Sequence, residues 1–271
     1  MPILVGILNT TPDSFSDGGD FLQVDKAVAH ALAMEKEGAS IIDVGGESTR
    51  PGAQKVTAEE QISRVVPVIK AIRQHSDVTI SIDTTQTRVA LAAIDVGASI
   101  INDVSAGRED SAMFPMVATT GAGIVLMHRR LPPELDTYSD QYEIDPVSKD
   151  IVEEVTSWLL ERVSVAIGQG VPSQSIAIDP GLGFGKSVDQ NILLMEQVDR
   201  IVASGYPVYV GASRKSFLGV SSTQDVPKSR DEASTSVAFA MAMKGVQIFR
   251  VHNVSLHTRV LQSPITDEHE R

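Results

Sequence analysis

Glu37-Gly38-Ala39-Ser40-Ile41-Ile42-Asp43-Val44-Gly45-Gly46-Glu47-Ser48 holds a helix stop, a strand and a polar loop in direct succession. Ahead of it, residues 24–38 place Ala27, Ala31 and Met34 on one helical face. Gly38 supplies the left-handed conformation that ends such a helix. Residues 40–45 form a compact apolar run, as expected of a strand buried on both faces of a parallel sheet. Beyond them, Gly45 to Gly52 are too polar and flexible to be core; Gly and Pro bracket a charged segment able to close over a ligand, with Arg50 offered to an anion.

The same unit recurs along the chain. Further strands are expected at 3–9, 79–83, 99–103, 123–128, 175–179, 207–211 and 247–252. Gly97, Gly121, Gly205 and Gly245 stop the helices before several of them. Thr57-Ala58-Glu59-Glu60 reads as a capping box opening a helix. Residues 148–168 carry Ile151, Val155, Trp158, Leu159 and Val163 at helical spacing, and 231–244 are small and Ala-rich. Eight strand–helix units in 271 residues fit an α/β fold of the (β/α)8 TIM-barrel kind, one domain over 1–271 with a frayed tail at 267–271. Periodicity alone leaves an open doubly wound sheet possible.

Composition narrows the partners. Hydrophobic residues are 42% and charged residues 21%, ordinary for a globular protein. A net charge of −12 argues against nucleic acid, which needs basic patches. It still permits anionic small molecules held by local basic residues. The absence of cysteine excludes disulfides, thiolate metal sites and a cysteine nucleophile. No apolar run approaches membrane-spanning length, and Ile3 to Leu8 is too short for a signal core and lacks a basic leader. A cytoplasmic protein with no membrane partner is the expectation.

Polar residues gather where the strands end: Asn9, Asp43, Asp83, Asn102 with Asp103, His128, Asp179, Ser213-Arg214-Lys215, and Arg250 with His252. Any one alone reads as a helix cap or turn former. Together, in a barrel, they converge on the C-terminal rim, where barrel active sites sit. Asp179-Pro180-Gly181-Leu182-Gly183-Phe184-Gly185-Lys186 alternates glycine with bulky residues. Gly185-Lys186-Ser187 lacks the earlier glycine of a nucleotide phosphate loop. A planar-ligand wall with Phe184 packed on a ring is the better reading.

These segments resemble the dihydropteroate synthase family. The resemblance rests first on Gly6 to Gly19 (Gly6-Ile7-Leu8-Asn9-Thr10-Thr11-Pro12-Asp13-Ser14-Phe15-Ser16-Asp17-Gly18-Gly19) and on Ile41 to Gly52. Ser81-Ile82-Asp83-Thr84, Ile100-Ile101-Asn102-Asp103, Leu126-Met127-His128, Gly211-Ala212-Ser213-Arg214-Lys215-Ser216 and Arg250-Val251-His252 follow in the family's order. The resemblance implies a barrel that condenses 6-hydroxymethyl-7,8-dihydropterin diphosphate with 4-aminobenzoate, with Mg2+ assisting. It also implies a homodimer and a sulfonamide target.

By the same resemblance, Asp83, Asn102, Asp179, Lys215, Arg250, Met127 and Phe184 hold the pterin. Acceptors suit its N–H edge, and the flat Arg250 guanidinium suits its face. Asn9, Thr49, Arg50, Arg250 and His252 take the diphosphate, with Asn9 as the magnesium ligand. Phe15, Thr49, Pro51, Phe184, Ser213 and Lys215 meet the aminobenzoate. Asp43, Asp83, Lys215, Arg250 and His252 form the catalytic cluster. No side-chain nucleophile is needed.

Three features depart from the family pattern. Arg129-Arg130-Leu131 follow His128 where Met, Gln and Gly are usual, Asn253 stands where Asp is frequent, and no leading hairpin precedes the first strand. Two rivals share a pterin cradle. A methyltetrahydrofolate–corrinoid methyltransferase would not need Ser48-Thr49-Arg50-Pro51 or Ser213-Arg214-Lys215. A non-catalytic pterin-binding protein would show damage at Lys215, Arg250 or His252, and all three are intact.

Overall fold

The computed structural model describes residues 1–10, 20–219 and 230–262. Phe15 and the tail at 267–271 lie outside the described residues. The elements run β1 (Ile3–Asn9), α1 (Asp20–Lys36), β2 (Ile41–Gly45), α2 (Ala58–Arg73), β3 (Thr79–Asp83), α3 (Thr87–Ile94), β4 (Ile100–Asp103) and α4 (Met113–Thr120). They continue with β5 (Gly123–Met127), α5 (Ile151–Gly168), β6 (Ile176–Asp179), α6 (Val188–Glu196), α7 (Val198–Val202), β7 (Tyr209–Val210), α8 (Asp231–Met243), β8 (Ile248–Val251) and α9 (Val254–Leu261).

The sheet order is β6-β5-β4-β3-β2-β1-β8-β7. A parallel bridge between Ile178 and Val208 joins its two ends, and the Ile178 amide donates to the Pro207 carbonyl at 2.9 Å. Closure decides for the (β/α)8 barrel over the open sheet. Strand β7 is shorter than the expected 207–211, because its pairing with β6 is reduced to that bridge.

Alternation within each strand sorts the side chains. Leu4, Leu8, Ile42, Val44, Ile80 and Ile82 face outward and pack with Met34, Val65 and Ile69 of the surrounding helices. Facing inward near the base, Val5, Val125 and Tyr209 pack with Ile41, Ile100, Ala177 and Ile248. The next inward positions are Asp43, Asn102, Asp179 and Arg250 in β2, β4, β6 and β8, while β1 and β5 place Ile7 and Met127 there. The register sets Asp43 beside Ser81 and Asp83 beside Asn102.

Local signals explain the ends. All five expected helix-stopping glycines have positive φ. Thr57 caps α2 through its hydroxyl, 3.3 Å from the Glu60 amide. Only half of the expected box forms there, since the Glu60 carboxylate is taken by Arg64. A complete box instead opens α6, between Ser187 and Gln190. Among the described residues no helix is long and apolar enough to cross a membrane.

Candidate active site

The polar centre of the barrel is built around Arg250. From β8, its Nε donates to Asp43 Oδ2 at 2.6 Å and its Nη2 to Asp83 Oδ2 at 2.8 Å. Burial opposes the guanidinium charge, but Asp43 and Asp83 more than offset it and hold the group ionised. Asp43 is fully enclosed. It also accepts from Ser81 Oγ at 2.5 Å and Asn102 Nδ2 at 3.2 Å. Three donors around one carboxylate make Asp43 the anchor that orients Arg250.

That anchor also fixes the Asn102 amide. With Nδ2 facing Asp43, its Oδ1 faces away as an acceptor. Asn102 Oδ1 and the neighbouring Asp83 Oδ1 are buried and have no partner among the described residues. Unpaired buried acceptors are costly, so such a pair marks a place where a ligand donates. Burial raises the Asp83 carboxyl above the usual range, against the pull of Arg250. Asp179, at the end of β6, is pushed up to about 6 by burial, while its Oδ1 accepts from the Gly181 amide at 2.7 Å.

Lys215 closes the opposite wall. Its Nζ lies 3.9 Å from the centre of the Phe184 ring, a cation–π approach. Burial, reinforced by Arg250, lowers its ammonium to about 8. Met127 and Phe184 pack together with Val104. Gly181 is forced by proximity: a Cβ there would stand 1.9 Å from the His128 carbonyl oxygen. Lys186, in the same loop, is wholly buried. Its Nζ donates to the carbonyls of Gly181 at 2.8 Å, Phe184 at 3.0 Å and His128 at 3.3 Å. It is a structural brace, which agrees with its not belonging to a nucleotide phosphate loop.

Ser213 and His252 are set by one hydroxyl. Ser213 Oγ accepts from the His252 backbone amide at 3.2 Å and lies 3.0 Å from His252 Nδ1. In the tautomer where the hydroxyl donates its hydrogen to Nδ1, the ring proton sits on Nε2. Burial, then Arg250 and Arg214, lower the ring to about 3 in the unliganded protein. Arg214 has φ 60, in the left-handed region. Its guanidinium is clamped by both oxygens of Asp231 at 2.6 and 2.9 Å. Asn253 donates to the same carboxylate at 3.0 Å and caps α9 by accepting from Leu256 at 3.1 Å. An aspartate at 253 would set two carboxylates together, so the amide suits its surroundings.

Asn9 ends β1 beside Gly45. Thr49 and Pro51 are half-buried in the β2–α2 loop, and Arg50 is exposed. None of the described hydrogen bonds or ion pairs brings the Arg50 side chain to Arg250 or His252. Among the described residues, no group of three or more His, Asp or Glu is arranged to hold a metal ion. Asn9 offers one hard oxygen, which fits Mg2+ only if water and substrate phosphate complete its shell. Sequence reading missed Ser81, which lies two residues before Asp83 on the same strand face; period-two alternation was the available signal. It also missed Asp231, whose pairing with Arg214 carries no local signature.

A closed barrel with buried acceptors and clustered cations at one mouth defines an enzyme for a flat, donor-rich, anionic small molecule. Residues 5–252 match the family model for pterin binding enzymes. A dihydropteroate synthase of Streptococcus pyogenes is 44% identical over 259 residues, covering 95% of this chain and 92% of the relative. The solved Xanthomonas albilineans dihydropteroate synthase with 4-aminobenzoic acid is 38% identical with a TM-score of 0.88, covering 96% of this chain and 91% of that one. The same enzyme in complex with 7,8-dihydropteroate is 35% identical with a TM-score of 0.84 over the same shares. The chain belongs to the pterin binding enzymes, and among them to the dihydropteroate synthase family.

Proposed function

We propose that the protein condenses 6-hydroxymethyl-7,8-dihydropterin diphosphate with 4-aminobenzoate, giving 7,8-dihydropteroate and pyrophosphate. The observation that carries this reading is the pair of buried, unpartnered acceptors Asp83 Oδ1 and Asn102 Oδ1. A pterin edge presents N–H donors at that spacing of neighbouring strands. Asp179 adds a third acceptor and Lys215 a donor for the ring's own acceptor atoms. Arg250 lies against the pterin face and also reaches the diphosphate. Met127 and Phe184 line the ring.

The diphosphate goes to Asn9, Thr49, Arg50, Arg250 and His252. Asn9 would be the protein ligand of Mg2+, which would supply charge neutralisation for the leaving pyrophosphate. Arg250 and the His252 Nε2–H stabilise the same developing charge. The carbon–oxygen bond to the diphosphate weakens first, since the electron-rich pterin tolerates positive charge at its methylene. The aminobenzoate nitrogen then forms the new carbon–nitrogen bond and loses a proton. Thr49, Pro51, Phe184, Ser213 and Lys215 orient the aminobenzoate, with Phe15 closing over it.

We further propose a cytoplasmic homodimer. Phe239 and Met243 on α8 and Ile192 and Leu193 on α6 are exposed apolar side chains on helices in mutual contact, and sedimentation at twice the chain mass is expected. Mass-spectrometric detection of 7,8-dihydropteroate from the two substrates with Mg2+ tests the function directly. Product is expected; pterin binding without product favours the methyltransferase or binding-protein reading. Chelating divalent cations is expected to stop turnover while leaving the affinity for a pterin without phosphates unchanged. A loss of that affinity would remove the metal from the diphosphate subsite.

A further inference from the structure

The β2–α2 loop is tied to the far rim of the barrel by contacts that the pterin cradle does not use. The Gly52 amide donates to the Pro133 carbonyl at 2.8 Å. Three residues on, Lys55 Nζ lies 3.1 Å from Glu109 Oε2 and 3.8 Å from Glu134 Oε1. Glu109, in the β4–α4 loop, is held from below. Thr85 Oγ1 donates to it at 2.9 Å, and Arg129, at the end of β5, pairs with its other oxygen. Arg129 is buried, whereas Lys55 is 58% exposed. Glu47 pins the loop's own far end, accepting from the Val56 amide at 2.6 Å and Gln61 Nε2 at 3.0 Å. The cleft spanned by these contacts is also lined by Asp83 and Thr49.

We propose that Glu109 is a positioning residue for the second substrate: braced by Arg129 and Thr85, it catches Lys55 and so sets the loop that carries Thr49 and Pro51. This rests on the assignment of those two residues to the aminobenzoate. Arg129 thereby gains a purpose: where the family usually has methionine, this chain places a buried cation that fixes the Glu109 carboxylate. The two ends differ in strength. The Arg129–Glu109 pair is shielded and rigid, while the Lys55–Glu109 pair is exposed and open to screening by salt. The latch therefore releases at Lys55 and stays anchored at Glu109.

Lys55→Met, Glu109→Gln and the double variant, assayed with both substrates, test this. Lys55→Met disturbs no buried group and is expected to raise KM for aminobenzoate about threefold, with kcat and pterin affinity within about twofold. Glu109→Gln is expected to raise it about tenfold, and the double variant no further than Glu109→Gln alone, since one contact is being removed. Added salt should raise the wild-type KM and leave that of the variants unmoved. An unchanged KM in Lys55→Met, additive effects, or equal salt responses would overturn the proposal. Wild-type turnover in the same assay separates its failure from failure of the synthase reading, which predicts product whatever the loop does.

Discussion

Asp179 and Asp83 are two carboxyls held above their ordinary range by burial, Asp179 at about 6. In the proposed cradle, pterin N–H donors would favour the ionised forms, so binding would lower both values. Affinity for an unreactive pterin is therefore expected to rise with pH from about 5 and to level off above about 8. A flat profile in titration calorimetry would remove the carboxyls from the cradle. Stability runs the opposite way. The folded values exceed the unfolded ones, so protonated Asp179 favours the fold, and that contribution is lost as pH rises through about 6. Without ligand, Asp179→Asn should thus gain in melting temperature relative to wild type as pH rises from about 4 to about 6, and no further above that. Asp83→Asn should lower kcat/KM for the pterin diphosphate by about 100-fold or more, since the amide offers a donor where an acceptor is needed; near-normal turnover would contradict the assignment. The convergence of Asp83, Asn102, Asp179 and Arg250 was legible because each stands at or next to the C-terminal end of a strand. Ser81 and the anchoring of Arg250 by Asp43 were not, because they depend on which residues the register places side by side.

The β6–α6 loop stands on Lys186, whose ammonium burial lowers to about 7. As an ammonium its three N–H donors match the carbonyls of Gly181, Phe184 and His128, and the neutral amine would keep only two of them. Lys186→Met would leave these buried carbonyls without their donor and is expected to cost about 3 kcal/mol or more. An unshifted urea midpoint would show that the loop supports itself. The sequence gives no warning of such a lysine, because a lone Lys beside glycines reads as solvated. Strands and glycine stops, by contrast, were read from short-range pattern alone: the starts of β2, β3 and β8 fall within a residue of expectation, and the expected glycines do stop helices. The Thr57 box formed only in part because Arg64, four residues beyond Glu60, competes for its carboxylate.

Across the whole molecule, alternation announced eight strand–helix units, but only the Ile178–Val208 bridge distinguishes a barrel from an open sheet. That contact joins strands distant in sequence and leaves no local mark. Closure is what turns scattered strand-end residues into one site. In a chain of net charge −12 it also turns two cations, Lys215 and Arg250, inward at the mouth, where they face the carboxyls of Asp43, Asp83 and Asp179. The Arg129–Glu109–Lys55 chain is a property of this scale too, since it draws on three separate loops. The most direct measurement is pyrophosphate release from the pterin diphosphate with Mg2+, followed with and without 4-aminobenzoate. Release that depends on aminobenzoate, matched mole for mole by dihydropteroate, is the predicted result. Release at the same rate without it, or tight pterin binding with none, would contradict the account.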